Sequence, residues 1–267
     1  MSDAVAVTRR ASMAVVTLNR PESRNPLDPE LSTALLAAVR AAMADEAVRS
    51  VAIAAEGPAF SAGGDLRQMR HLAASPAPTA HGWPDAIVEL HQLALQAPKP
   101  LVALVDGPAY AGGMGLAGIC DVVLATPRAS FALPEVRIGL FPMIVVAHLA
   151  RSLPRKVLLE MMMTGQPLSV DDGYRLGFVA RICADTEALH AEADRYAGWF
   201  ADAAPDAIRL GRKAFAVLAD LPAPQALDAA QLFNLAFFLG EELPEGAAAF
   251  LEKRSPRWAG ARGVGDA

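Results

Sequence analysis

The sequence predicts an α/β fold with a helical C-terminal region, and three observations support this prediction. Short apolar runs rich in β-branched residues alternate with segments of helical spacing in the first half of the chain. From residue 142 onward the spacing stays helical almost throughout. The length of 267 residues suits one large globular domain, or one domain with an appended segment. We therefore expect an α/β core at residues 1–200 and a helical region at residues 201–267.

The elements of the first half follow in order along the chain. Residues 5–8 and 14–18 are short β-rich runs that a polar turn joins into a hairpin. Asp28 is a good helix N-cap with Pro29 in the first helical position, so a helix is expected there. Further elements are expected at residues 48–54 (strand), 85–96 (helix), 101–105, 122–125 and 130–133 (three strands).

Beyond these elements, the sequence predicts one mobile loop and a helical second half. Residues 73–83 are rich in Ala, Pro, Ser and Thr and have no period, which is typical of a mobile loop. Helices are expected at residues 148–153, 155–163, 170–176, 186–201, 206–219, 226–239 and 244–253. The last of these carry apolar residues on broad faces that a small region cannot bury on itself. We expect part of that surface to meet the core or another subunit.

The composition excludes several classes of protein. The chain is 53% hydrophobic with a formal net charge of −5, which excludes intrinsic disorder. The absence of a basic run argues against nucleic-acid binding. Mean hydropathy is +0.27, but the most apolar stretch, residues 107–120, carries five glycines between Asp106 and Asp121. That stretch is too short to cross a bilayer, so it is interpreted as buried core and no membrane partner is expected.

The N-terminus and the cysteines indicate a cytoplasmic location. Residues 1–10 lack the basic, apolar and small-residue regions of a secretion signal. Cys120 and Cys183 each lie in an apolar context, so we expect reduced thiols in the core and no disulfide.

Two glycine-rich turns follow predicted strands and are candidates for contact with a ligand. The first covers residues 60–65 (Phe-Ser-Ala-Gly-Gly-Asp) and the second residues 107–115. Glycines let the backbone approach a ligand, and two N–H groups aimed at one carbonyl oxygen form an oxyanion hole. The alternative is that the glycines only permit tight turns. Neither turn matches the phosphate loop or the dinucleotide fingerprint.

Glu135 is a third candidate, because it is a lone carboxylate among the apolar residues of segment 131–142. A partly buried glutamate has a raised pKa and can carry a proton near neutral pH. The alternative is a surface glutamate at a turn, paired with Arg137.

Together, these features resemble the enoyl-CoA hydratase/isomerase family, the crotonase superfamily. The resemblance covers nearly the whole chain in several spaced motifs that occur in the family's order. The segments that carry it are residues 19–27, 59–66, 106–121, 131–142, 159–165, 173–179 and 250–254.

The resemblance implies a crotonase-like spiral of ββα units with a helical C-terminal trimerisation region. It also implies a homotrimer or a dimer of trimers that binds acyl-CoA, with two backbone N–H groups holding the thioester oxygen of an enolate. By motif matching, these groups belong to Ser61 and Gly112, and the positive end of a helix that begins near Gly112 adds to them. Glu135 matches one of the two catalytic glutamates of the family's hydratases.

The resemblance further implies where CoA binds. Its adenine end is expected near Ala62, Asp65 and Leu66. Arg24 and Lys253 are candidate partners for its phosphates, and Lys253 would come from a neighbouring subunit. The alternative for either cation is a solvated surface charge. CoA enters as part of the substrate, and no separate cofactor is expected.

The chain departs from the family pattern at two places. Gly115 stands where the family's other catalytic glutamate is found, and it is retained here as a substrate-binding position. The glycines that follow the family's Ile-Pro are replaced by Met-Ile-Val-Val at residues 143–146. We therefore expect an acyl pocket around residues 143–146 that is more apolar and less able to hold an ordered water.

The sequence thus predicts an enoyl-CoA hydratase-type enzyme with Glu135 as acid/base. One alternative is a double-bond isomerase, in which the single Glu135 shuttles a proton between C2 and C4. An alternative of another class is a non-catalytic acyl-CoA-binding subunit, since the glutamate is absent at Gly115. The histidines lack metal-ligand spacing, so no metal is expected. His148 is interpreted as a packing residue and Met161, Met162 and Met163 as core.

Overall fold

A computed structural model describes residues 4–259, so parts of segments 1–10 and 201–267 lie outside the described residues. The strands are β1 (Val5–Arg10), β2 (Met13–Leu18), β3 (Ser50–Ala55), β4 (Leu101–Val105), β5 (Pro108–Tyr110), β6 (Val122–Ala125), β7 (Ser130–Ala132), β8 (Leu168–Ser169) and β9 (Arg181–Ile182). The helices are α1 (Pro29–Ala44), α2 (Leu66–Leu72), α3 (Ala77–Gly82), α4 (Asp85–Gln96), α5 (Gly112–Gly118), α6 (Met143–Ser152), α7 (Arg155–Thr164), α8 (Val170–Arg175), α9 (Thr186–Asp202), α10 (Pro205–Leu218), α11 (Ala223–Phe238) and α12 (Glu242–Leu251). Two short 3-10 turns cover Pro21–Ser23 and Pro134–Ile138.

The strands form two sheets, and the chain passes repeatedly from one to the other. The larger sheet has the order β1-β2-β3-β4-β6-β9, in which only β1 and β2 are antiparallel. The smaller sheet has the order β5-β7-β8, with β5 and β7 parallel. After β4 the chain enters β5 and then α5, and after β6 it enters β7. Each turn of this spiral therefore adds one strand to each sheet.

The central strands of the larger sheet are buried on both faces, as a parallel sheet requires, whereas the edge strand β1 is largely exposed. All five residues of β4 are buried. One face packs against α1, α4 and α5, with Leu31 and Leu90 fully buried among its contacts. The other face packs against α9 through Leu189 and Ala193. The apolar surplus of the sequence is explained in part by this two-sided burial.

The start of α1 forms as its sequence predicts. Asp28 Oδ1 accepts a hydrogen bond from the Leu31 backbone N–H at 2.8 Å, and Pro29 occupies the first helical turn. A proline costs nothing there, since its missing N–H would have no helical acceptor. Arg20 forms an ion pair with the same Asp28 carboxylate, which ties the helix start to the preceding turn.

Two predictions about local structure are wrong, and one strand was not predicted. Residues 73–83 are not a loop throughout, because α3 forms at Ala77–Gly82 with proline in its first turn, where proline is tolerated. Strand β5 was not predicted, since it lies within the second glycine-rich turn and becomes a strand only by pairing with β7. Met161 and Met162 are buried, but Met163 is 60% exposed because it lies on the outer face of α7.

The C-terminal helices are attached to the core mainly by polar contacts of α10. Arg212 donates to the carbonyl oxygens of Ala94 and Ala97 at the end of α4 and forms a 2.8 Å ion pair with Asp121. Many large apolar side chains that follow Arg212 in the sequence are exposed. They include Phe215, Leu227, Leu232, Leu235, Phe238, Leu239, Leu243, Phe250 and Leu251. The described part of the chain therefore leaves this surface uncovered, as expected from the sequence.

Two expectations about the whole chain can be compared with the structure. Among residues 4–259, no helix is long and apolar enough to cross a membrane. Cys120 and Cys183 are both free thiols, and burial raises the pKa of each. The division into residues 1–200 and 201–267 stays a prediction.

Candidate active site

The two glycine-rich turns lie against each other. Ser61 pairs with Ala109 of β5, and the Tyr110 N–H donates to the Ser61 carbonyl oxygen at 2.9 Å. A Cβ atom built on Gly113 would lie 2.5 Å from that same carbonyl oxygen, so only glycine fits. A Cβ atom on Gly112 would lie 3.9 Å from Cα of Gly63. The glycines thus allow the two backbones to approach each other and not only to turn.

Asn25 holds the first turn in place. Its side chain is fully buried and donates to the carbonyl oxygens of Glu56 and Ala59, both at 3.0 Å, in the segment that leads into the turn. The Ser61 hydroxyl donates to the Asn25 carbonyl oxygen at 2.7 Å. Asn25 also adopts a positive φ of 51°, which asparagine tolerates better than most residues. Asn25, near the start of the chain, therefore fixes the first turn through its side chain and its carbonyl oxygen.

The Ser61 N–H does not fit the role that motif matching gave it. It donates to the Pro108 carbonyl oxygen at 3.3 Å, since Ser61 is built into the pairing with β5. Two residues later, the Gly64 N–H has no acceptor among residues 4–259. The first turn therefore offers Gly64, not Ser61, as a donor for a ligand oxygen.

Gly112 has the geometry of a donor in the second turn. It is the first residue of α5, so its N–H has no acceptor within the helix, and none elsewhere in the described chain. The preceding Ala111 has φ 53° and ψ −123°, a sparsely populated conformation for a residue with a side chain. Such strain costs on the order of 1–3 kcal/mol and is concentrated at functional sites.

Strand register places Glu135 beside the second turn. Tyr110 of β5 pairs with Ala132 of β7, and the Ala111 N–H donates to the Ala132 carbonyl oxygen at 2.8 Å. The chain then enters the 3-10 turn that carries Glu135. Glu135 and Gly112 therefore follow paired strands at the same edge of the smaller sheet.

The carboxyl group of Glu135 is partly buried. Its Oε2 atom is buried without a hydrogen-bond partner among the described residues. Burial raises the pKa of this carboxyl group, since desolvation disfavours the charged form. The alternative partner, Arg137, instead donates to the Gly165 carbonyl oxygen at 3.0 Å. The pairing of Glu135 with Arg137 is therefore not observed.

The position of the absent glutamate is filled from α6. A Cβ atom on Gly115 would lie 2.3 Å from Cγ1 of Val145. Val145 is one of the four apolar residues at positions 143–146, and it is buried. The space that a side chain at Gly115 would need is thus filled by Val145. In the same segment, Met143 is exposed.

The candidate CoA residues differ in their surroundings. The Ala62 N–H donates to the Arg24 carbonyl oxygen at 2.9 Å, so Arg24 adjoins the first turn. Ala62 and Leu66 are exposed. Asp65 is the N-cap of α2, with Oδ1 accepting from two backbone N–H groups, so its carboxylate has a structural role.

Lys253 lies elsewhere in the fold. It is exposed and follows α12 with a positive φ of 54°. Within residues 4–259, no hydrogen bond or ion pair connects it to the glycine-rich turns. A role for Lys253 beside Arg24 would therefore come from a neighbouring subunit.

The comparisons with known proteins decide the family. A sequence profile described as enoyl-CoA hydratase/isomerase matches residues 8–261. The chain belongs to the enoyl-CoA hydratase/isomerase family. A putative enoyl-CoA hydratase of Thermus thermophilus is 36% identical, over 93% of this chain and 98% of that protein. A carnitinyl-CoA dehydratase of Salmonella typhi is 31% identical, over 97% and 100%.

Solved structures of the enoyl-CoA hydratase/isomerase family share the fold. An enoyl-CoA hydratase from Mycobacterium smegmatis superposes with a TM-score of 0.87 at 32% identity, over 96% of this chain and 98% of that one. The predicted crotonase-like α/β fold with a helical C-terminal part is therefore confirmed.

Outside the glycine-rich turns and the segment of Glu135, the structure reveals one polar feature that the sequence did not indicate. His148 is buried on α6, as expected for a packing residue, but it stacks on His91 of α4. Sequence reasoning treated these histidines as scattered, because no local pattern connects the two helices. Among residues 4–259, no group of three or more His, Cys, Asp or Glu side chains could hold a metal ion.

Proposed function

We propose that this family member is an enoyl-CoA hydratase-type enzyme with Glu135 as its acid/base. The observation that carries the proposal is the buried, unpartnered Oε2 atom of Glu135 beside the second glycine-rich turn. A buried carboxyl oxygen left without a partner in a folded protein costs stability, so its presence is best explained by chemistry.

The backbone supplies the electrostatic part of the reaction. The free N–H groups of Gly64 and Gly112 would hold the thioester oxygen, on which negative charge develops as the enolate forms. Donors fixed by the fold need no reorganisation during the reaction, and one such donor contributes about 3–4 kcal/mol. The raised pKa of Glu135 keeps part of the carboxyl group protonated nearer neutral pH, so that it can deliver a proton to C2.

One observation favours isomerisation as the second candidate. Val145 occupies the space beside Gly115, where the resemblance to the family places the second catalytic carboxylate of its hydratases. With one carboxyl group, a proton removed from C2 or C4 could be returned at the other carbon without added water. The third candidate, a non-catalytic acyl-CoA-binding subunit, also rests on the absence of a second carboxylate.

A labelled-water assay separates these three functions. We expect 2-enoyl-CoA thioesters in ¹⁸O-water to take up one oxygen, since hydration forms a C3–O bond. Double-bond migration in 3-enoyl-CoA without oxygen uptake would establish the isomerase instead. If neither reaction occurs, and no C2 hydrogen exchange is found with thioesters of varied chain length, only the binding subunit is left.

CoA is proposed to bind along the outer side of the first turn. The exposed Ala62 and Leu66 offer a surface for the adenine, and Arg24 adjoins Ala62 through the backbone. Arg24 has no ion-pair partner among the described residues, so its guanidinium group is available for a phosphate. Since the overall charge is −5, recognition of the anionic CoA depends on such local cations.

A homotrimer or a dimer of trimers is proposed from the exposed apolar face of α10–α12. Phe250 and Leu232 are 83% and 74% exposed in the single chain, far more than monomeric surfaces usually leave. We expect sedimentation equilibrium to give three or six times the chain mass of 28.0 kDa. A single chain mass at micromolar concentration would contradict this assembly. The cytoplasmic location stays a prediction.

A further inference from the structure

A stacked pair of histidines lies beside the position of the absent carboxylate. His91 from α4 and His148 from α6 have ring centroids 4.9 Å apart and planes inclined by 18°. A Cβ atom built on Gly115 would lie 3.5 Å from Cε1 of His91. Because Cε1 is bonded to both ring nitrogens, the nitrogen-bearing edge of His91 faces Gly115.

The polar atoms of this pair have no partners. Both ring nitrogens of His91 and Nε2 of His148 are buried and make no hydrogen bond with any described residue. The two residues are only 6% and 7% exposed. Buried polar atoms are nearly always paired, and an exception calls for a bound water or a catalytic role. Packing alone would be served by an aromatic hydrocarbon ring, without the cost of desolvating nitrogen atoms.

Both rings are uncharged at neutral pH. Burial, and to a lesser extent the neighbouring His148, lowers the pKa of His91 to about 4. Burial also lowers the pKa of His148, with a contribution from Arg151. A neutral imidazole presents one nitrogen as a hydrogen-bond acceptor. His91 is therefore available as an acceptor, with a basicity close to that of a carboxylate.

We propose that His91 accepts the proton of the water that adds to the enoyl thioester, in place of the carboxylate absent at Gly115. This inference rests on the proposed hydration. The water oxygen bonds to C3, its proton passes to a nitrogen of His91, and the C2–C3 π electrons move into the enolate. Glu135 then protonates C2 as the thioester carbonyl re-forms. Solvent carries the proton from the His91 imidazolium to the Glu135 carboxylate, which restores both groups.

Two neighbours have supporting roles in this arrangement. His148 is a positioning residue, since its ring covers one face of His91 and fixes the orientation of the nitrogen-bearing edge. Val145 keeps the space beside Gly115 closed to any longer side chain. Because the surroundings are apolar, His91 is the polar group that would bind a water molecule beside Gly115.

His91→Phe tests the proposal, because phenylalanine keeps a stacked ring and removes both nitrogens. We expect its kcat for ¹⁸O uptake into 2-enoyl-CoA to fall by about 100-fold, the usual loss for a general base. Exchange of the C2 hydrogen of a saturated acyl-CoA in deuterated water should be retained, since it needs Glu135 and the backbone donors only. A structural role for His91 would lower both rates together. His190→Phe on α9, on the opposite side of the larger sheet, serves as the matched control and should retain both rates.

The outcomes separate this inference from the proposed function. Undiminished ¹⁸O uptake by His91→Phe would overturn the role of His91 while leaving hydration intact. If the wild-type protein takes up no ¹⁸O at all, the proposed hydration fails and the inference fails with it. Should His91→Phe unfold, His91→Gln replaces it, and equal loss of uptake and C2 exchange in a folded His91→Gln variant would also overturn the proposal.

Discussion

Glu135→Gln is expected to reduce kcat for hydration or isomerisation by about 100-fold or more, while the KM for the acyl-CoA changes little. Glutamine has nearly the same shape and keeps a polar end, but it can neither accept nor release a proton under these conditions. The buried Oε2 atom of Glu135 has no partner within residues 4–259, so no other side chain is positioned to relay its proton. Steady-state kinetics with one thioester measure the effect, and the exposed Glu187→Gln on α9 is the matched control.

The thermal stability of the same variant separates lost chemistry from unfolding. Because burial raises the pKa of Glu135 above its usual 4.5, the wild-type fold loses stability as pH rises from 4.5 through the raised value. Glutamine does not titrate, so Glu135→Gln should have the higher Tm at pH 7 and no such advantage below pH 4.5. An inactive variant that is also less stable at pH 7 would argue for a structural carboxylate. Full activity in a folded variant would remove Glu135 from the mechanism.

Gly113→Ala is expected to separate the two glycine-rich turns. The added Cβ atom would lie 2.5 Å from the Ser61 carbonyl oxygen and 2.8 Å from Cβ of Ser61, and backbone atoms cannot move aside cheaply. Overpacking of this kind costs about 1–3 kcal/mol of unfolding free energy. Displacing the neighbouring Gly112 N–H should also reduce kcat by on the order of 100-fold, the effect of losing one oxyanion donor. Urea unfolding and steady-state kinetics measure the two effects.

Gly211→Ala is the matched control for that substitution. Gly211 lies inside α10, and a Cβ atom there would meet nothing within 4 Å. Alanine should therefore stabilise the helix by about 1 kcal/mol and leave kcat unchanged. If Gly113→Ala were as active and as stable as Gly211→Ala, the contact between the two turns would have no part in the active site.

The sequence by itself determined the architecture and the family. Alternating strand and helix periods gave the α/β core, since each period records which side chains face the interior. The glycine-rich turns and Glu135 were identified because their residue types are unusual for their surroundings, and residues 19–27, which include Asn25, were identified by their resemblance to the family. The start of α1 was also predictable, because Asp28 and Pro29 act within one helical turn.

Only the tertiary structure decided which atoms of those motifs are free to act. Motif matching assigned the donor of the first turn to Ser61, but pairing with β5 engages the Ser61 N–H and leaves the Gly64 N–H free. Strand β5 and the exposure of Met163 likewise depend on packing partners that no local pattern reveals.

The surroundings of Gly115 show most clearly what local sequence patterns cannot predict. The sequence showed that a carboxylate is absent there, but not what fills the space. Val145 and His91 reach it from two different helices, α6 and α4. Periodicity describes one helix at a time, whereas the contact of three helices depends on how each is rotated and placed on the sheet. The surroundings of Gly115 thus depend on side chains that only folding brings together, whereas the glycine-rich turns are recognisable in the local sequence.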